Sequence, residues 1–443
     1  MPASRPTPSS KERPAKDRTA KDAVKATGAP AKAPTADQKT AIEGFAFIAR
    51  QPIYDAAMAV VAFELLYKPI PVAGQDMVDP GQAALRAISG AALEIGLDKL
   101  AGGLPVHVNF PSELLINAPL LPFPAERVII DVLEEALAEP KALIGVQTLR
   151  ARGHATALDG YSRPAGDATL LACFGTVKLH LGSRSPEELT RVVRELKSRG
   201  LKLIAADVAT IEQFERCISL GFEGFQGDFL QHPETFSAKR VPSNKLSTLR
   251  LVASLQNENY SISEVEKQLS QDIAMSYHVL RCINSSYYNL PRKIDSIRQA
   301  IVILGVESLR QLCTLLCLQG LDDRPPSLFV QALTRARLCE QLGRMGGAAD
   351  AGPFFMTGLF SLLNALVGMP TEKIVEELPL APAIRSALIS GEGAMGAALQ
   401  CTRAYERGAW SHVVYGDLDA HLIRAAYLDA VFWAEQARAL ISK

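Results

Sequence analysis

"TVKLHLGSRSPEELTRVVRELKSRGLKLIAADVATIEQF", residues 176–214, holds two short apolar runs, each followed by the start of a helix. "TVKLHL" and "KLIAADV" read as strands. Between them Ser185 offers a capping side chain, Pro186 stands in the first turn, and Glu188 at the third position can reach back to the cap. Thr210 with Gln213 repeats the signal. Strand, helix, strand and helix in this order form the βαβ unit that joins parallel strands.

The same alternation extends outward from about residue 43 to 235. The strand candidates are "FAFIARQPI", "VVAFELLY", "VHVNF", "RVIIDVL", "TALDGY", "TVKLHL", "KLIAADV" and "FEGFQGDFL", with helices between most of them. Such a succession implies an α/β domain, either a closed barrel or an open parallel sheet. The first two runs are separated only by "DAAMA", too little for a crossover helix, so they predict an antiparallel hairpin at its start.

After "QHPETFSAKRVPSNK" the period changes. Apolar residues recur at three and four: Leu249, Val252, Leu255; Ile262, Val265, Leu269; Ile273, Tyr277, Leu280, Ile283; Ile297, Ile301, Leu304. Ser261 with Glu264, Asp272 and Asp295 are candidate caps. This half is all-α, and "GDLDAHLIRAAYLDAVFWAEQARAL" closes it as a long amphipathic helix with Phe432 and Trp433 assigned to the core. The expected organisation is a disordered tail over 1–40, rich in Ala, Pro and Lys, a barrel over 41–235, a linker over 236–245 and a helical domain over 246–443.

Composition narrows the function. Lys plus Arg equals Asp plus Glu, 47 each, and aromatics are 6%, so broad attachment to nucleic acid or anionic lipid is not expected. The seven cysteines form no CxxC pair, which fits reduced thiols in a cytosol. No run reaches the roughly 18 apolar residues of a membrane span. With no apolar signal core at the N-terminus, a cytoplasmic protein is expected.

The barrel resembles EAL domains, the phosphodiesterases that linearise the bacterial second messenger cyclic di-GMP. "ARQPIYDAAMAVVAFELLYKP" stands at that family's Glu-Ala-Leu signature and "FQGDFLQHP" at its closing Gln-Gly-Tyr segment. The helical half resembles the HDOD domain through "LSQDIAMSYHVLRCINSSYYNLPRKIDSIRQAIVILGVESLRQL". The architecture implied is an EAL-type (β/α)8-like barrel followed by an HDOD helical bundle, as in bacterial signalling proteins.

Carried over by position, the resemblance puts metal ligands on Glu64, Asn109, Asp131 and Asp159. It puts catalytic positions on Glu134, Lys178 and Gln226, and nucleotide contacts on Gln51, Glu64, Leu66 and Lys68. The departures matter more. The family's paired aspartates are Asp159 and Gly160 here. Its Ala-Glu-Gly-Val-Glu-Thr loop is "AADVAT", with Ala206 and Ala209 in place of both glutamates. The phosphate-binding arginine is Lys68, a point charge without bidentate geometry.

Each lost carboxylate removes negative charge that would offset the repulsion of two divalent ions about 3.5–4 Å apart. The remaining oxygens suit at most one Mg²⁺ or Ca²⁺, and Glu64, Asn109 and Lys178 read more readily as a buried polar network with no metal. His107, His154 and His180 are isolated in sequence and are assigned no ligand role. In the helical half, Ser361 and Leu362 stand where related hydrolases carry their His-Asp metal pair. The expectation is a non-catalytic signalling or scaffold protein acting through protein partners. The alternatives are a cyclic di-GMP receptor without turnover and a weak phosphodiesterase. Because related EAL domains pair, a homodimer is compatible with the resemblance.

Overall fold

The computed structural model describes residues 46–69, 96–121, 124–162, 168–231, 269, 279–284, 294, 296–319, 325–368, 370–378 and 380–441. The tail over 1–40, the linker and the cap candidates Ser261, Asp272 and Asp295 lie outside them.

Eight strands close into one barrel in sequence order: β1 (Ala46–Tyr54), β2 (Val60–Pro69), β3 (Val106–Asn109), β4 (Val128–Leu133), β5 (Ala155–Asp159), β6 (Thr176–His180), β7 (Lys202–Ala206) and β8 (Gly224–Phe225). Each coincides with one of the eight apolar runs read from the sequence, with β1, β2 and β5 running one or two residues past the run. β1 runs antiparallel to β2 and to β8, and the remaining neighbours are parallel. The short "DAAMA" connection is the reason, since it can only fold back as a hairpin.

The crossovers carry helices α1 (Leu97–Ala101), α2 (Ser112–Asn117), α3 (Pro140–Ala151), α4 (Ala168–Leu171), α5 (Pro186–Ser198) and α6 (Ile211–Leu220). α5 starts at the expected capping box: Ser185 Oγ accepts from the Glu188 amide and the Glu188 carboxylate accepts from the Ser185 amide. Its Leu189, Val192, Val193 and Leu196 form the buried stripe, the three-and-four spacing of one helix face. α6 is capped by Thr210. Just beyond β8, Gly227 lets the chain pass against Val208, where any Cβ would sit 2.2 Å from the carbonyl oxygen. That close passage fixes Gln226, whose carbonyl accepts from the Val208 amide at 3.0 Å.

The helical half contains α7 (Ile297–Leu304), α8 (Val306–Gln319), α9 (Pro326–Met345), α10 (Gly352–Phe360), α11 (Leu363–Val367), α12 (Thr371–Glu377), α13 (Pro382–Ile389), α14 (Gly393–Glu406) and α15 (Ala420–Ile441). The cap of α7 is Ser296, which accepts from the Gln299 amide, one residue after the candidate Asp295. Phe432 and Trp433 on α15 are half-buried at the edge of the core. No helix among the described residues is long and apolar enough to cross a membrane.

The two halves share an apolar core. Phe47, Ile48 and Ala49 of β1 cluster with Leu399, Tyr405, Tyr427 and Val431 of α14 and α15. Phe47 stacks on Trp410 at 5.2 Å between ring centres. Tyr405 donates to the Ile48 carbonyl at 3.2 Å, and Arg50 donates to Glu435 at 2.8 Å. Deeper in the helices, Arg335 of α9 is fully buried, where burial alone would favour its neutral form; the paired Glu406 keeps it charged. The same guanidinium donates to Gln231, the last described residue after the barrel.

Candidate functional site

Successive residues of a strand point to opposite faces, so residues two apart share a face. His107 and Asn109 share one face of β3, and Lys178 and His180 one face of β6. Asp159 closes β5, directly opposite Lys178 in the β5–β6 register. Asn109 is opposite Asp131 in the β3–β4 register, and Glu64 is opposite Gln51 across the first hairpin. Strand register alone therefore brings the set together.

Lys178 is its centre. The ammonium donates to Asp131 Oδ2 at 2.8 Å and Glu64 Oε2 at 2.9 Å, and Asp159 Oδ2 lies 3.5 Å away. Glu64 accepts further from Asn109 Nδ2 at 2.8 Å and from Gln226 Nε2 at 2.6 Å, and the Gln226 amide also donates to Gln51 Oε1 at 2.9 Å. Asp131 Oδ1 is 2.7 Å from His107 Nδ1. Asp159 Oδ1 is 3.0 Å from His180 Nε2, whose Nδ1 is 2.6 Å from Asp207 Oδ2. Glu64, Asp131, Asp159, Lys178 and Gln226 are all buried.

Burial works against every charge here, and the mutual pairing outweighs it. Desolvation would raise the Asp131 carboxyl, but His107 and Lys178 hold it down at about 2. Desolvation would likewise favour a neutral Lys178, but Asp131, Glu64 and Asp159 push its pKa up and keep it an ammonium. The Asp159 hydrogen bond raises His180 to about 9 against its burial, with Asp207 adding to it. Lys178 and His180 thus enter the cluster as cations at neutral pH.

Glu64, Asp131 and Asp159 each present an oxygen within 4.8 Å of the others, so this acidic cluster has the donor chemistry to hold a metal ion. Asn109 Oδ1, buried and with no hydrogen-bond partner, is a further oxygen of the kind a hard cation prefers. Asp131, one methylene shorter than the family glutamate, still reaches the group. A second cation is poorly served. Gly160, Ala206 and Ala209 bring no carboxylate, and Asp207 is turned to His180. Among the described residues no other group of His, Cys, Asp or Glu is placed to hold a metal ion.

Two of the expected positions stand apart. β4 ends at Leu133 and the chain turns into a single-turn helix, so Glu134 accepts from the amide and hydroxyl of Ser162 instead. Lys68 is exposed on β2, and Leu66 beside it lines a small cavity with Asn109. In the helical half Ser361 accepts from Arg335 at 3.0 Å and donates to the Gly358 carbonyl, so the would-be metal position anchors a buried guanidinium. The sequence reading set His107 and His180 aside, and it did not single out Asp207. The strand spacing of the two histidines to Asn109 and Lys178 was the available signal.

Residues 241–372 match the model of the HDOD domain. This chain carries an HDOD domain. The architecture is a closed eight-stranded α/β barrel that begins with an antiparallel hairpin, followed by the helical half that carries the HDOD match. Similar chains include Uncharacterized protein YuxH of Bacillus subtilis, 28% identical over 398 residues, covering 87% of this chain and 97% of that one. Cyclic di-GMP phosphodiesterase CdgJ of Vibrio cholerae is 28% identical over 404 residues, covering 89% of this chain and 94% of that one. An EAL domain protein of Listeria monocytogenes matches 44% of this chain and 90% of its own at 17% identity, with a TM-score of 0.33. Outside the HDOD match, α13 to α15 extend the helical half beyond residue 372.

Proposed function

We propose that this protein is a cyclic di-GMP signalling protein whose barrel binds the nucleotide with at most one divalent cation, does not turn it over efficiently, and passes the signal to protein partners through its HDOD half. The observation that carries this reading is the position of Lys178. Three buried carboxylates share one ammonium, and the positions that would add negative charge for a second cation are Gly160, Ala206 and Ala209. One ion would be held by Glu64, Asp159, Asp131 and the Asn109 carbonyl, and would orient a phosphate oxygen as a Lewis acid. Gln226 and Lys178 would keep Glu64 in place. Among the described residues no carboxylate set for two ions is present, which leaves out the usual means of lowering the pKa of an attacking water.

The test is incubation of the purified full-length protein with cyclic di-GMP and Mn²⁺ or Mg²⁺, followed by chromatography and by calorimetry of binding. Heat of binding with intact cyclic nucleotide is the expected result. Stoichiometric conversion to linear dinucleotide contradicts it.

A second reading, a slow phosphodiesterase, is favoured by the Vibrio cholerae relative, which is named for that activity and aligns over most of both chains. It requires linear product that disappears in Glu64→Ala.

A further inference from the structure

Arg407 follows α14 in the helical half, and its side chain crosses to the barrel. Its Nη2 lies 3.0 Å from Asp228 Oδ2, two residues beyond Gln226, in a pair that is about half open to solvent. The same residue lines two cavities. One, of about 360 Å³, is walled on the barrel side by Gln51 and Gln226. The other, of about 160 Å³, holds Leu66 and Asn109. Gln226 and Asn109 are the two amides that donate to Glu64, so Arg407 stands between two openings that adjoin the carboxylate cluster.

The approach is close. The next residue, Gly408, has a φ of +67°, a conformation that favours glycine, and a Cβ there would sit 2.8 Å from Leu66 Cδ1, so this segment lies against the end of β2. Trp410, stacked on Phe47, anchors the other side of the segment. The barrel's own basic residue at the family's phosphate position, Lys68, lines neither cavity. Of the other guanidiniums that line the larger cavity, Arg50 and Arg438 are both paired with Glu435. Asp228 engages one nitrogen of Arg407, and a guanidinium has five N–H donors in a fixed fork.

We infer that Arg407 is an anion-binding residue supplied by the helical half to the barrel's ligand pocket, where it grips a phosphate of the nucleotide in place of the arginine the barrel lacks. The inference rests on the nucleotide-binding reading above. It makes ligand binding depend on the docking of the two halves, which gives the HDOD half a direct sense of whether the barrel is filled.

The experiment is calorimetric titration of full-length wild type, Arg407→Ala, Arg407→Lys and Asp228→Asn with cyclic di-GMP in Ca²⁺. Loss of one charge-assisted, fork-shaped contact is expected to weaken binding about tenfold or more in Arg407→Ala. Lysine keeps the charge without the fork, so Arg407→Lys falls between. Asp228→Asn loses less than Arg407→Ala, because it leaves the guanidinium in place. Equal losses in Arg407→Ala and Asp228→Asn would mean that the pair only holds the halves together, and would overturn the inference. Wild-type affinity in Arg407→Ala overturns it while leaving the nucleotide reading intact. No binding by the wild type removes that reading and the inference with it.

Discussion

The Lys178 ammonium lies 2.8 Å from Asp131 Oδ2, with both side chains out of contact with solvent. A buried ion pair is costly to break, because removing one partner leaves the other charge desolvated and unmatched.

Lys178→Met is therefore expected to destabilise the fold by about 3–5 kcal/mol, the usual cost of an uncompensated buried charge. Three carboxylates would then face one another with no ammonium, so the variant should recover stability on adding Ca²⁺ or Mn²⁺ far more than the wild type does. Thermal unfolding with and without the cation is the measurement. A variant as stable as wild type in chelator would show that the carboxylates are not held as charges.

Restoring a lost ligand makes the converse prediction. A Cβ built on Gly160 meets nothing within 4 Å, and the residue has a φ of +71°. Aspartate tolerates this left-handed region better than most residues, at a cost of about 1–2 kcal/mol. Gly160→Asp should fold with that modest loss, bind Mn²⁺ more tightly than wild type, and show more linear product from cyclic di-GMP. Unchanged cation affinity would mean that position 160 does not face the cluster.

His180 supplies a pH-dependent link. Held by Asp159 first and by Asp207 second, against partial burial, it titrates at about 9 rather than at its usual 6.5. Its folded-state pKa is raised, so its contribution to stability is complete below pH about 6.5 and is lost as pH rises through about 9. Histidine signals followed by NMR should give that value, and Asp207→Asn should bring it down. An ordinary histidine pKa in the wild type would contradict the bridging geometry.

Arg335 and Glu406 form the corresponding pair in the helical half, at 2.5 Å and nearly dry. Glu406→Ala should cost about 3–5 kcal/mol by stranding the guanidinium, and Ser361→Ala, which removes a single hydrogen bond to it, about 1.5–3 kcal/mol. Denaturant unfolding measures both. Equal, negligible losses would mean that the guanidinium reaches water.

The barrel was legible because strands covered on both faces are nearly continuous apolar runs, and "DAAMA" is too short for anything but a hairpin. Ser185 and Thr210 announced their helices because capping is local chemistry. At α7 the candidate cap was Asp295, and the chain uses its neighbour Ser296 instead. The carboxylate set was legible only through its resemblance to a known family. What it missed depends on register and docking. His107 meets Asp131 because β3 lies beside β4, and His180 spans Asp159 and Asp207 because β6 lies between β5 and β7. Glu134 departs because the strand ends one residue before it. Arg407 meets Asp228 across 179 positions of chain, which no local pattern encodes.

The number of divalent ions held per chain tests the central claim most directly. Equilibrium dialysis against Mn²⁺, with electron paramagnetic resonance to detect coupled pairs, measures it in the presence of cyclic di-GMP. One tight ion or none, with no spin coupling, is the expected result. Two tight ions coupled across a bridging oxygen would contradict the account.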